Sequence, residues 1–302
     1  MRFLFVVLLS CLVGVANASE ALLVAIENVR ATCGGISASL SDLKVKAGIA
    51  TGASVAGAVT GGVALGAGVA KMGVDDKIED IQKMFADAIK MELDENIKFE
   101  RINPSAVDEI LVEQDADFSE ENLSEYQKKS KQLGNIRTGT LATSAATNIA
   151  SAVLAGTNRV RGDLRLQIDT CLSAVRTLSN VRMQMRVSGD ATDDDLKYAE
   201  RIVVACEEWS TVDIDKINSR AKGATISSAI GAGMGTAGVA TSALANSDNG
   251  TDGKGNNLNV ASNVLAGGTA AASLTSAILN GTQIKAIKRA ATVADECEGA
   301  LK

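Results

Sequence analysis

Four long stretches of this chain carry no charge and consist almost wholly of Gly, Ala, Ser, Thr and Val. They are Ala47–Ala70, Gly139–Thr157, Gly223–Asn246 and Leu258–Gln283. Side chains this small cannot fill a conventional core, so helices built from them must approach one another closely. Each stretch adjoins a charged segment that holds one cysteine: Cys33, Cys171, Cys206 or Cys297.

The composition supports helices. The 302 residues include one proline, Pro104, no histidine and 3% aromatics. Near-absence of proline over this length favours long helices over loop-rich or all-β folds.

The N-terminus reads as an export signal, residues 1–18. Met1-Arg2 is a short basic start, Phe3–Val15 is apolar, and Ala16-Asn17-Ala18 is a small-x-small cleavage site. Cys11 lies inside the apolar run and not just after the cleavage site, which excludes a lipid-modified start. The chain from Ser19 onward then has four cysteines, an even number that in an exported protein implies two disulfides. The expected location is the periplasm or cell envelope, with membrane association left open.

The chain from Ser19 also reads as an imperfect duplication. Ile149–Asn158 and Leu274–Gln283 agree at five of ten positions. Each half has the order cysteine, small-residue arm, turn, small-residue arm, cysteine. In the second half Cys206 to Ser247 and Asn256 to Cys297 are both 41 residues, so equal arms bring the two cysteines level. In the first half Cys33 to Ala70 is 37 residues and Gly139 to Cys171 is 32. The predicted pairing is therefore Cys33–Cys171 and Cys206–Cys297. Gly34-Gly35 after Cys33 is the weak point, because a bend there changes the partner.

The expected fold is all-α: two long antiparallel helical hairpins packed as an elongated four-helix bundle, with a small helical insertion at the tip of the first. Residues 19–71 and 137–187 form the first hairpin, 72–136 the charged insertion and 188–302 the second hairpin. In the insertion Val74, Ile78, Ile81, Phe85, Ala88 and Ile89 follow helical spacing. Pro104-Ser105 and Ser119 look like helix starts. Ser188–Asp195 reads as a loop leading into a helix whose acidic first turn suits the dipole.

Ala47–Ala70 holds seven glycines, each costing about 1 kcal/mol relative to Ala inside a helix. Gly48/Gly52, Gly57/Gly61, Gly62/Gly66 and Gly231/Gly235 fall at GxxxG spacing, which lets backbones meet and recovers part of that cost. Length makes each stretch a membrane-span candidate. Its low Leu, Ile and Phe content argues the other way, as does charge placement. With an exported N-terminus, the outer flanks hold more Lys and Arg (such as Arg159, Arg161, Lys222 and Lys285) than the inner ones (such as Lys71 and Arg137). The positive-inside rule expects the reverse.

Motifs for chemistry are weak. Gly233-Met-Gly235-Thr-Ala-Gly238 fits GxGxxG but lies inside a small-residue helix, with no preceding strand. Asp248–Asp252 and Asp115–Ser119 resemble calcium loops but lack the glutamate at position 12. Arg161-Gly162-Asp163 falls in sequence that reads as helical. Arg159, Arg161, Arg165, Arg176, Arg182 and Arg186 form a basic face, expected to pair with acids around Glu200, Glu207 and Glu208 or to touch an anionic surface. Trp209, three residues after Cys206, is expected to pack over the disulfide. Without histidine, serine–histidine and cysteine–histidine pairs and His-ligated zinc are excluded. No cofactor, metal, nucleic acid or small-molecule substrate is implied, and an enzyme is not expected. The small-residue runs are similar in composition, though not in any motif, to glycine-zipper envelope proteins. The expected role is a non-enzymatic exported scaffold or interaction protein with a protein partner or self-association. The alternative is a membrane-inserting or pore-forming protein that uses the glycine-rich hairpins.

Overall fold

The computed structural model describes residues 18–95, 120–247 and 253–302. Among these every regular element is helical. In order they are α1 (Ala18–Cys33), α2 (Ile36–Glu95), α3 (Glu120–Thr157), α4 (Gly162–Ser188), α5 (Asp193–Glu207), a 3₁₀ turn (Glu208–Thr211), α6 (Ile214–Ser247) and α7 (Gly253–Ala300). The protein is an all-α helical bundle. The readings of Pro104-Ser105, Asp115–Ser119 and Asp248–Asp252 lie outside the described residues, as does most of the export signal.

Local chemistry sets the breaks. Gly35 has φ +81°, a left-handed conformation that ends α1 and redirects the chain into α2. Gly189 closes α4 with φ 74°, its N–H reaching the Met185 carbonyl. Thr192 caps α5 by accepting from the Asp195 N–H at 3.2 Å, ahead of three aspartates in the first turn. The expected helix start after the Ser188 loop is thus present. α2 runs unbroken from Ile36 to Glu95, so its helix continues from the first arm into residues 72–95. Beyond Lys71, α2 faces α3 through Asp75–Ser130 and the Lys77 ammonium over the Tyr126 ring.

The chain divides into two compact units. Among the described residues, unit 1 comprises 18–49, 154–223 and 279–302, and unit 2 comprises 50–95, 120–153, 224–247 and 253–278. The division falls within α2, α3, α6 and α7, each of which contributes residues to both units.

Unit 1 has an ordinary apolar core. Leu22, Ile26, Val29, Leu40, Ile168, Leu178, Ile202, Ile217 and Ile287 are buried together, with α1 packed on α4 and α4 on α5. Both disulfides lie in this core. Cys33 bonds Cys171 and Cys206 bonds Cys297, the pairing predicted from arm lengths. The Gly34-Gly35 bend is real but follows Cys33, so it leaves that pairing intact. Trp209 is buried in the same cluster, though on the 3₁₀ turn and not on α5 itself. The basic face of α4 makes one of its expected pairs, Arg182 with Glu200 at 3.1 Å; Arg165 instead reaches Asp215 at 2.7 Å.

In unit 2 parts of α2, α3, α6 and α7 form an antiparallel four-helix bundle. Every neighbouring pair is fixed at two levels: α2 with α3 by Ser54–Ser151 and Asp75–Ser130, α3 with α6 by Ser151–Ser228 and Thr138–Ser242. α6 meets α7 by Ser228–Ser276 and Gly238–Ser262, and α7 meets α2 by Ser276–Ser54 and Asn259–Asp75.

Candidate functional site

The inward positions of unit 2 follow an alternating three-and-four spacing. On α2 they are Ala50, Ser54, Gly57, Gly61, Ala64, Gly68 and Lys71; on α3, Gly134, Arg137, Leu141, Ser144, Asn148 and Ser151. On α6 they are Ala224, Ser228, Gly231, Gly235, Gly238, Ser242 and Ala245; on α7, Asn259, Ser262, Ala266, Thr269, Ser273 and Ser276. This is the heptad seam of a left-handed coiled coil. Apart from Leu141, its occupants are small, polar or charged where a water-soluble bundle carries leucine.

Four serines, one per helix, share one level and are fully buried. Ser228 donates to Ser151 at 3.0 Å and Ser54 to Ser276 at 3.1 Å; Ser151–Ser54 is 2.6 Å and Ser276–Ser228 is 2.7 Å. If Ser151 donates to Ser54 and Ser276 to Ser228, each hydroxyl donates once and accepts once around a closed ring. Such a ring is cooperative in a low-dielectric interior. The next level holds Asn148, whose Oδ1 accepts from Ser273 at 2.9 Å across the bundle, between Gly57 and Gly231. Ser144 donates to the Gly57 carbonyl at 2.7 Å, and a Cβ at Gly57 would come within 3.1 Å of Asn148 Oδ1, Ser273 Oγ and Thr147 Oγ1. Gly61 meets the Ala270 backbone and Gly235 the Ala145 backbone, each at about 3.1–3.2 Å from where a Cβ would sit. One apolar level follows, with Ala64, Leu141 and Ala266.

Above it lies a charged level. Arg137, fully buried, donates to Ser242 at 2.9 Å and to Asn259 at 2.8 Å. Asp75 accepts from Lys71 at 2.6 Å, from Ser130 at 2.6 Å and from Asn259 at 3.1 Å. Burial of two cations beside a half-buried carboxylate is tolerable only with such partners.

The outer face has the opposite character. Val59, Val153, Val264 and Ile278 are 61, 62, 69 and 58% exposed, and Val55, Val63, Ile149, Ile226, Ile230 and Leu274 are exposed with them. No residue of 50–70, 138–153, 224–247 or 255–278 is charged, inside or out. Leu141 is the one large apolar side chain of these segments that is fully buried. One helical run, Glu20–Met84, is long and apolar enough to cross a membrane, with mean hydropathy 1.6 over its best window and only 28% of that window buried.

The glycines singled out for close packing divide in two. Gly57, Gly61, Gly231 and Gly235 lie on the seam and make the close contacts expected of them. Gly48, Gly52, Gly62 and Gly66 are exposed, and a Cβ at any of them meets nothing within 4 Å. GxxxG spacing is symmetric around a helix and does not say which face turns inward; the heptad phase does. The serine ring, Asn148, Arg137 and Asp75 were missed by motif reading. Their signal was that same phase, which places Ser54, Ser151, Ser228 and Ser276 in register with neighbouring seam glycines.

The remaining motifs resolve simply. Gly233–Gly238 lies within α6, with Gly235 and Gly238 against Ala145 and Leu141, so this GxGxxG is a packing surface. Arg161-Gly162-Asp163 is not inside a helix: Arg161 is extended and Gly162 opens α4. Asn158 in place of a continuing helix former, and the Asn218 amide that captures Val160, account for the break. The sulfurs of Cys33, Cys171 and Cys297 lie within 4.8 Å of one another, but as disulfide sulfurs they are not metal ligands.

No family model, no curated protein and no solved structure matches the chain. The class is therefore defined by the geometry alone: a polar-cored, antiparallel four-helix bundle in unit 2, and a disulfide-stapled helical body in unit 1.

Proposed function

We propose that this is an exported, membrane-embedded protein in which the charge-free arms of unit 2 (50–70, 138–153, 224–247 and 255–278) are the bilayer-inserted part and unit 1 is a water-exposed interaction body. One observation carries the reading: in unit 2 aliphatic side chains point outward while Ser, Asn, Gly and Ala fill the interior. In water that arrangement exposes apolar surface and buries polar groups, both unfavourable. In lipid it is the expected one, because small residues let helices approach and hydroxyls bond across helices. Within unit 2 the shortest charge-free arm, residues 138–153, rises about 24 Å and the other three about 31–36 Å, around the hydrocarbon thickness of a bilayer.

The outward valines and isoleucines also supply what the low overall hydropathy of the stretches conceals, since each helix need be apolar on its outer side only. The serine ring closes the bundle axis with mutual hydrogen bonds, so the reading is of an anchor or assembly element and not of an open pore. The two disulfides fit an oxidising compartment for unit 1.

The test is extraction of membranes from cells expressing the full chain. Retention in the pellet through alkaline carbonate, with trypsin sparing the charge-free arms, is the expected result. Release by osmotic shock as a detergent-free soluble species overturns the reading in favour of a soluble envelope scaffold. The disulfides and ordinary core of unit 1 are what favour that second reading.

A further inference from the structure

We infer that a cavity in unit 1 binds an anionic phosphate group, of the kind a phospholipid headgroup carries. The cavity measures about 770 Å³, and Arg159, Arg161, Lys222, Asn218, Ser219 and Thr157 line it. It is built at the break between α3 and α4. There Asn218 clamps the backbone, its Oδ1 accepting from the Val160 N–H at 2.8 Å and its Nδ2 donating to the Val160 carbonyl at 3.3 Å. Val160 is buried in the core, while Arg159 and Arg161 on either side of it are exposed and border the cavity.

The charge there is unbalanced. Asp215 is the one acid lining the cavity, and both of its oxygens are taken by Arg165, at 2.7 and 3.3 Å. Arg159, Arg161 and Lys222 have no ion pair among the described residues. Three cations with hydroxyl and amide donors around one opening suit a phosphate, which accepts several charge-assisted hydrogen bonds. The sequence positions favour lipid as its source. Arg159 directly follows the charge-free run 138–158, and Lys222 directly precedes 223–247. These are the points at which helices leaving an apolar layer first acquire charge, where headgroups lie. The choice of lipid rests on the membrane reading of unit 2; the phosphate chemistry does not.

The experiment is calorimetric titration of the full chain in a maltoside detergent, with inorganic phosphate, short-chain phosphatidylglycerol and short-chain phosphatidylcholine as separate probes. Saturable binding of phosphatidylglycerol, weaker binding of phosphatidylcholine, and a loss of about tenfold or more in an Arg159→Ala, Arg161→Ala, Lys222→Ala variant are expected. A Lys288→Ala, Arg289→Ala variant, exposed but away from the cavity, should bind as the parent does. Inorganic phosphate binding as tightly as phosphatidylglycerol would make free phosphate the source and keep the site. No binding of any phosphate, or equal binding by the triple variant with its disulfides and helicity intact, overturns the proposal. The titration needs no bilayer, so its failure is separable from a failure of carbonate extraction.

Discussion

Ser54 and Ser151 meet hydroxyl to hydroxyl at 2.6 Å, fully buried, at a level where a water-soluble bundle sets two leucines against each other. With Ser228 and Ser276 they complete a ring in which removing any one member takes a hydrogen-bond partner from each of its two neighbours. Ser151→Ala should therefore destabilise unit 2 by about 1–2 kcal/mol. Replacing all four serines by alanine should cost less than the sum of the four single changes, because each bond of the ring is lost once but enters two of the single changes. Thermal unfolding followed by circular dichroism in detergent measures both; additive losses would show that the ring is not a coupled unit.

The glycines give a sharper contrast. Gly61→Val and Gly235→Val insert bulk where the Ala270 and Ala145 backbones already touch, and should cost about 1–3 kcal/mol each. Gly52→Ala and Gly62→Ala meet open space and should stabilise the helix by up to about 1 kcal/mol. The same melting experiment on the four variants decides the heptad phase. Equal destabilisation at Gly62 and Gly61 would contradict it.

At the charged level, Asp75 is the only carboxylate among the described residues that pairs with buried Lys71. Asp75→Ala leaves that ammonium without its counter-charge and should destabilise unit 2 by about 3 kcal/mol. Adding Lys71→Met should recover most of the loss, since an apolar side chain of similar length needs no partner. Failure of the second change to rescue the first would mean that Asp75 acts chiefly through Ser130 and Asn259.

Because the sulfurs of Cys33, Cys171 and Cys297 lie within 4.8 Å, single cysteine changes should scramble. Cys33→Ser frees the Cys171 thiol beside the Cys206–Cys297 bond, and non-reducing peptide mapping should then find Cys171–Cys297 or Cys171–Cys206 species. The double change Cys33→Ala, Cys171→Ala should leave Cys206–Cys297 clean, at a cost of about 2–5 kcal/mol. A single native bond in the Cys33→Ser protein would refute exchange.

Much of the fold was legible in the sequence because helices and their ends are local. Arm lengths between cysteines located both disulfides, Thr192 and Gly189 behaved as caps, and the absence of proline let α2 and α7 run long. The α3–α4 break at Asn158–Arg161 was not legible, because it depends on Asn218, about sixty residues away.

The sequence by itself determined that the chain makes long helices, that the cysteines staple them in two pairs, and that four stretches lack charge. Only the tertiary structure decided which face of each stretch turns inward. Glycine, alanine and serine recur on every side of these helices, so composition and GxxxG spacing are silent about phase. Packing four helices together selects the face on which Ser54, Ser151, Ser228 and Ser276 bond one another and Gly61 and Gly235 admit a neighbouring backbone. That choice sends the valines and isoleucines outward, and the polarity of unit 2 follows from it.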